Sequence, residues 1–195
     1  MVPRCFLALT LPESVVRTLV SARERFLIEA PGWAGEKWVA TPNLHVTVAF
    51  LGDLDDSAVR AAGRRLTEAA SGVRAFDLLL GGVAAVPSPR AATMLWATLD
   101  DAEGRLVPLR DVLMTAFPRV AVDPRKPLRP HITLVRARSE RRAEAGALAA
   151  ASALLEALGK EPEGVVSVRS ATLFSGTLRP AGPEYREIVV AHLKR

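Results

Sequence analysis

A chain of 195 residues with 49% hydrophobic and 24% charged side chains holds enough apolar material for one sizeable core, which excludes a disordered or fibrous protein. A single cysteine, Cys5, excludes an internal disulfide, and no apolar stretch approaches transmembrane length. Lys and Arg number 26 against 21 Asp and Glu, a net charge of +5 that favours phosphate-bearing partners without specifying one.

Residues 6–11 read as a strand, with Cys5 a small buried apolar residue at its start rather than a nucleophile. The strand runs into Pro12 and Glu13 without a signal-peptide cleavage pattern, and the lone thiol points to a reducing, cytoplasmic home. Val16, Leu19, Val20, Phe26 and Leu27 form a helical stripe opened by Pro12 and ended by residues 31–35. Residues 43–51 alternate with period two until Gly52 and Asp53 stop them. Val59, Ala62, Leu66 and Ala69 mark a second helix, and residues 76–80 a strand. After the loop 87–90 the order repeats: a strand at 94–99, a helix carrying Leu106, Leu109, Leu113 and Phe117, and a β run at 129–136. An alanine-rich helix is predicted from about 139 to 158, then strands near 165–174 and 185–193. A single bilobal domain spanning 1–195 is expected, with β-α-β-α-β pseudo-repeats at approximately 1–90 and 91–195.

The central β run of each half carries the same signature. Residues 43–48 read Asn-Leu-His-Val-Thr-Val and residues 129–134 read Arg-Pro-His-Ile-Thr-Leu. One His-x-Thr-x tetrapeptide carries little weight, since a strand histidine is more often structural than functional. Two of them at equivalent places, in a chain with three histidines, reverse that weighting. Strand alternation projects His45 with Thr47, and His131 with Thr133, while Val46, Val48, Ile132 and Leu134 point to the core. His192 lacks the threonine and is assigned to packing.

If a pseudo-two-fold axis relates the halves, the two imidazoles flank one ligand. Opening a cyclic phosphodiester requires a base for water and an acid for the departing oxygen, on opposite sides of phosphorus. Histidines titrating around 6.5 fill both roles near neutrality. Threonine hydroxyls can donate to the non-bridging oxygens, where charge builds up. No His, Cys or carboxylate lies at ligand spacing around either histidine, so neither a metal nor a cofactor is predicted.

On these motifs the chain resembles the two-histidine (2H) phosphoesterases, and within them the bacterial and archaeal RNA 2′,3′-cyclic phosphodiesterases, also called 2′-5′ RNA ligases. The likeness extends to Cys-Phe-Leu-Ala-Leu-Thr-Leu-Pro at 5–12, Asn-Leu-His-Val-Thr-Val-Ala-Phe-Leu-Gly at 43–52, Pro-Ser-Pro-Arg at 87–90 and Arg-Pro-His-Ile-Thr-Leu-Val-Arg at 129–136. Leu173, Ser175, Leu178, Gly182 and Tyr185 fit the closing pattern. The resemblance implies an α+β, bilobal fold with two antiparallel sheets around a central cleft, and metal-free hydrolysis of 2′,3′-cyclic ends to 2′-phosphates. It implies that His45 is the proton donor and His131 the proton acceptor. Arg136 matches a phosphate-contacting arginine, and Phe50, at the equivalent place after His45, offers an apolar surface to a base or ribose. Strict alternation would send Arg136 to the face opposite His131, so the strand must bend or end before it. The partner implied is RNA with a 2′,3′-cyclic phosphate, or a cyclic nucleotide, taken by a monomer without a membrane.

Two other functions compete. A non-catalytic RNA-end binding module would use the basic charge, but it has no need of two symmetric histidines, and no cluster of aromatics for stacking is legible in the sequence. An enzyme of the same fold could act on a small nucleotide-like cyclic ester, a reading that comparison of short RNA with mononucleotides separates.

Overall fold

The computed structural model describes residues 4–118, 120, 128–179 and 182–195. In chain order the elements are β1 (Arg4–Thr10), α1 (Glu13–Glu29), β2 (Lys37–Trp38), β3 (His45–Asp53), α2 (Asp56–Ser71) and β4 (Phe76–Val86). They continue with β5 (Ala92–Asp100), α3 (Leu106–Met114), β6 (His131–Arg141), α4 (Ala145–Leu158), β7 (Val165–Val168), β8 (Ser170–Arg179) and β9 (Gly182–His192).

The strands form one curled antiparallel sheet in the order β7-β4-β5-β6-β3-β1-β8-β9, with β2 added beside β6. That order is a palindrome of roles. β1 flanks β3 as β5 flanks β6, while β4 from the first half joins β5 and β8 from the second joins β1. The helices follow the same exchange, since α4 packs on α1 and β4, and α2 packs on α3, β8 and β9. The half that ends on β6 and the half that begins with β3 meet at one pair, Val46 opposite Ile132, both fully buried. The duplicated β-α-β-α-β order is therefore present, with each lobe drawing strands from both repeats.

Several local expectations shift. The buried face of α1 is Val15, Thr18, Leu19, Ala22 and Phe26, so Val16, Val20 and Leu27 lie on its flank. Thr18 is tolerated there because its hydroxyl donates to the carbonyls of Ser14 and Glu163, both at 3.2 Å. Residues 139–141 extend β6 instead of opening α4. Arg141 is held by Glu36 and lies over the Trp33 ring at 4.6 Å, which anchors the strand end in place of a helical turn. The two-residue strand β2 has no counterpart among the predicted elements, and the predicted strand 165–174 is divided into β7 and β8. Leu106, Leu109 and Leu113 are buried along α3, whereas Phe117 is buried in the turn after it.

Candidate active site

The His-x-Thr-x strands place their residues as alternation demands. Val46, Val48, Ile132 and Leu134 are buried in the core, and His45, Thr47, His131 and Thr133 occupy the other face, half-buried. Extending the Val46–Ile132 register by one residue in each direction sets His45 across from Thr133 and Thr47 across from His131. The pseudo-two-fold axis runs through this pair, with a histidine on each side of it.

Each imidazole is fixed the same way. The Nδ1 of His45 lies 2.7 Å from the Asn43 carbonyl, and the Nδ1 of His131 lies 2.7 Å from the Arg129 carbonyl. A carbonyl only accepts, so Nδ1 carries hydrogen in both rings and Nε2 is left to exchange protons. In His45 that Nε2 sits 3.0 Å from the Thr47 hydroxyl. The turn that supplies the Asn43 carbonyl is itself tied down, because the Asn43 amide donates to the Pro183 carbonyl at 2.8 Å.

Arg136 reaches the histidine face through a β-bulge. Trp96 pairs with Thr133, Leu95 with Val135 and Met94 with Arg136, so Leu134 is an extra residue in β6. One inserted residue inverts the alternation, which is why Leu134 and Val135 are consecutively buried and Arg136 emerges beside His131. The first lobe repeats the device. Ala8 pairs with Thr47 and Leu7 with Ala49, so Val48 is extra and Phe50 returns to the face of His45, 73% exposed.

Aromatic rings from four strands surround His45. Phe6 lies 5.2 Å from it and Tyr185 meets it edge-on at 5.5 Å, while Phe6 stacks on Phe174 at 5.3 Å and approaches Phe50 at 6.3 Å. On the other side Trp96 stacks on His131 at 3.8 Å. These rings are the functional candidates that sequence reasoning missed, Phe50 excepted. They come from distant segments, and the one available signal was the place of Tyr185 in the closing pattern of the resemblance.

Burial is the largest influence on His45 and holds its pKa below the ordinary 6.5. The bond to the Asn43 carbonyl opposes this, and the charges of His131 and Arg136 reinforce it. His131 is lowered by burial too, opposed by the Arg129 carbonyl and reinforced by Arg136. Burial raises Tyr185, against the pull of the same guanidinium. Arg136 is thus electrostatically coupled to both histidines and the tyrosine, and its Nη1 lies 3.0 Å from the Met94 sulfur. His192 is apart from this group and does not serve packing: it is exposed on the outermost strand, opposite Ser170. Cys5 is buried as expected, and its thiol pKa is raised by that burial.

Among the described residues no group of three or more His, Cys, Asp or Glu side chains could hold a metal ion, and no helix is long and apolar enough to cross a membrane. One surface concavity, about 600 Å³ and lined by Pro12, Ser14, Lys160, Glu161, Pro162, Val165 and Ser167, is open to solvent and contains neither histidine. We place the candidate site at the histidines because acid, base and cation converge there.

This fold, with paired histidine strands across a pseudo-two-fold axis, defines the 2H phosphoesterase class. The chain belongs to the 2′-5′ RNA ligase superfamily, whose profile matches residues 17–177. It is 28% identical over 190 residues to the RNA 2′,3′-cyclic phosphodiesterase of Methanothermobacter thermautotrophicus, covering 97% of this chain and 98% of that one. It is 26% identical over 187 residues to the protein of the same name from Archaeoglobus fulgidus, covering 96% and 98%. Its fold matches TT0787 of Thermus thermophilus with a TM-score of 0.73 at 23% identity, covering 98% of each chain. E. coli LigT complexed with 3′-AMP matches with a TM-score of 0.71 at 20% identity, covering all of both chains.

Proposed function

We propose that this protein is an RNA 2′,3′-cyclic phosphodiesterase that leaves a 2′-phosphate, acting as a monomer and without a metal. The observation that carries this reading is the pair of histidines, each with Nδ1 bound to a carbonyl and Nε2 available, on either side of one axis. His131 takes a proton from water at Nε2 as the water oxygen bonds to phosphorus. His45 gives its Nε2 proton to the 3′ oxygen as the bond from phosphorus to O3′ breaks. Thr47 and Thr133 donate to the non-bridging oxygens, Arg136 offsets their growing charge, and Phe50 meets the terminal base or ribose. The assignment of donor and acceptor comes from motif position in the family, since the two motifs are chemically equivalent. Ligation through a 2′-5′ linkage would put an RNA 5′-hydroxyl in place of water as the nucleophile on the same phosphorus, with the bond to O3′ again breaking, and the high concentration of water favours hydrolysis.

The aromatic rings around His45 also suit a non-catalytic module that grips RNA ends, so turnover is the deciding measurement. Oligoribonucleotides ending in a 2′,3′-cyclic phosphate should be converted to 2′-phosphates. Tight binding with no product would leave the binding module as the function, and a 3′-phosphate product would reverse the orientation of the substrate.

A further inference from the structure

One cation of the histidine face is left unused by this mechanism. Lys37 on β2 pairs directly with Arg136 on β6, and residues paired in an antiparallel ladder share a face. The bulge at Leu134 that turns Arg136 toward the histidines therefore defines the face of Lys37 as well. Its neighbour Trp38 takes the opposite side, packing near Phe26 and donating to the Trp33 carbonyl at 2.8 Å. Met94, Arg136 and Lys37 form one row across three strands.

Like charges directly opposed on a sheet are destabilising. Lys37 and Arg136 are both exposed, and among the described residues no carboxylate forms an ion pair with either. Glu36, adjacent to Lys37 in sequence, is committed elsewhere: one carboxylate oxygen accepts from the Arg141 guanidinium and the other from the Arg138 backbone N–H at 2.7 Å. Two unneutralised cations on the same face of the sheet are a site for two anions, or for one ligand that carries two.

We propose that Lys37 binds the phosphodiester on the 5′ side of the terminal nucleotide, which makes the protein selective for oligoribonucleotides over cyclic mononucleotides. This rests on the reading of the site as a cyclic phosphodiesterase. A terminal nucleotide within RNA carries two phosphates, the cyclic one at O2′ and O3′ and the diester at O5′. Arg136 faces the first and Lys37, on the strand paired beside it, the second. Arg136 and Lys37 then follow the backbone, while the exposed Phe50 and the half-buried Phe174 and Tyr185 on the opposite lobe, packed around the buried Phe6, offer ring surface to the terminal base. A free cyclic mononucleotide has only a hydroxyl at O5′ and gains nothing from Lys37.

The test compares kcat/KM for adenosine 2′,3′-cyclic phosphate and for the dinucleotide ApA ending in the same group, in the wild type, Lys37→Gln and Lys37→Arg. Wild type should prefer the dinucleotide, and Lys37→Gln should lower that preference about tenfold, the usual scale for one charge-assisted bond. Lys37→Arg should restore most of it. The slope of log kcat/KM against log salt for the dinucleotide should become shallower by roughly 0.7 in Lys37→Gln, as for one lost phosphate contact on a single strand. An unchanged preference in Lys37→Gln, or an equal loss on both substrates, overturns the proposal.

Binding separates this from the catalytic reading. Adenosine 2′,5′-bisphosphate should bind the wild type more tightly than adenosine 2′-phosphate, and Lys37→Gln should abolish the difference. If that difference is found but no cyclic end is hydrolysed, the phosphodiesterase reading fails and the Lys37 site stands. Hydrolysis with no effect of the 5′-phosphate on affinity keeps the phosphodiesterase and overturns the Lys37 site.

Discussion

Both imidazoles turn Nδ1 to a main-chain carbonyl two residues upstream, so all proton exchange runs through Nε2. His45→Ala and His131→Ala should each lower kcat by roughly 10² to 10⁴, the scale of a lost general acid or base. His192→Ala should leave it within about twofold, because that side chain is solvent-exposed on the edge strand. An equal loss in all three variants, with the fold intact by circular dichroism, would show that the wrong pair has been chosen. A substrate with sulfur at the 3′ position separates the roles, since a thiolate leaves without a proton. It should restore much of the rate of His45→Ala and little of that of His131→Ala; the reverse pattern would exchange donor and acceptor. The pH dependence follows from the burial of both rings, which holds both pKa values below 6.5 in the free protein. Catalysis needs one ring neutral and one protonated, so kcat/KM should already be falling as pH rises above about 6.5. A bound phosphate anion favours imidazolium, so the kcat profile should lie at higher pH. Arg136 lowers both histidines, and Arg136→Ala should therefore move the limbs of the kcat/KM profile upward while reducing its height. Limbs that stay in place would mean that the guanidinium does not act on the imidazoles.

At the scale of elements, two single-residue bulges do equivalent work. Val48 in β3 and Leu134 in β6 are extra residues relative to their partner strands, and each returns the side chain five positions after its histidine to the histidine face. The chain uses that equivalence asymmetrically, placing an aromatic ring at 50 and a guanidinium at 136. The joint between the lobes is narrower still, since β3 and β6 share only the Val46–Ile132 pair. Ile132→Ala removes a fully buried side chain there and should cost about 2–5 kcal/mol of unfolding free energy, measured by urea titration. Because the same pair sets the relative position of the two histidines, kcat should fall in this variant under conditions where it remains fully folded. A destabilised variant with wild-type kcat would show that the site tolerates movement at the axis.

For the whole molecule, the exchange of strands between repeats means that neither half closes a lobe alone: β4 completes the lobe of β5 and β6, and β8 that of β1 and β3. Across the axis, Arg136 and Lys37 lie on the β6 side together with Trp96, which stacks on His131, and the cluster of Phe6, Phe50, Phe174 and Tyr185 lies on the β3 side. In the proposed reaction the chemistry is supplied by acid, base, hydroxyl and guanidinium groups, so chelation with EDTA should leave turnover within about twofold. Loss of activity on chelation, restored by one divalent ion, would overturn the two-histidine mechanism.

What could be read from the sequence was what is local or repeated. His45 with Thr47 and His131 with Thr133 were legible because strand alternation acts residue by residue and because the pattern occurs twice, and three helices showed in their apolar spacing and the fourth in its alanine content. The faces of Phe50 and Arg136 were not legible, because a bulge is a mismatch between two strands and leaves no mark on either alone. β2 was too short for any periodicity and exists because β6 offers it an edge, which is also why Lys37 came into view only in the fold. The extension of β6 past residue 139 was decided by Glu36 and Trp33, about a hundred residues earlier in the chain, outweighing the helical tendency nearby. The rings around His45 belong to β1, β3, β8 and β9, segments that each look like ordinary core strands. The candidate catalytic residues were thus legible in the sequence itself, while what they face depends on strand pairing between distant segments and was decided only by the tertiary structure.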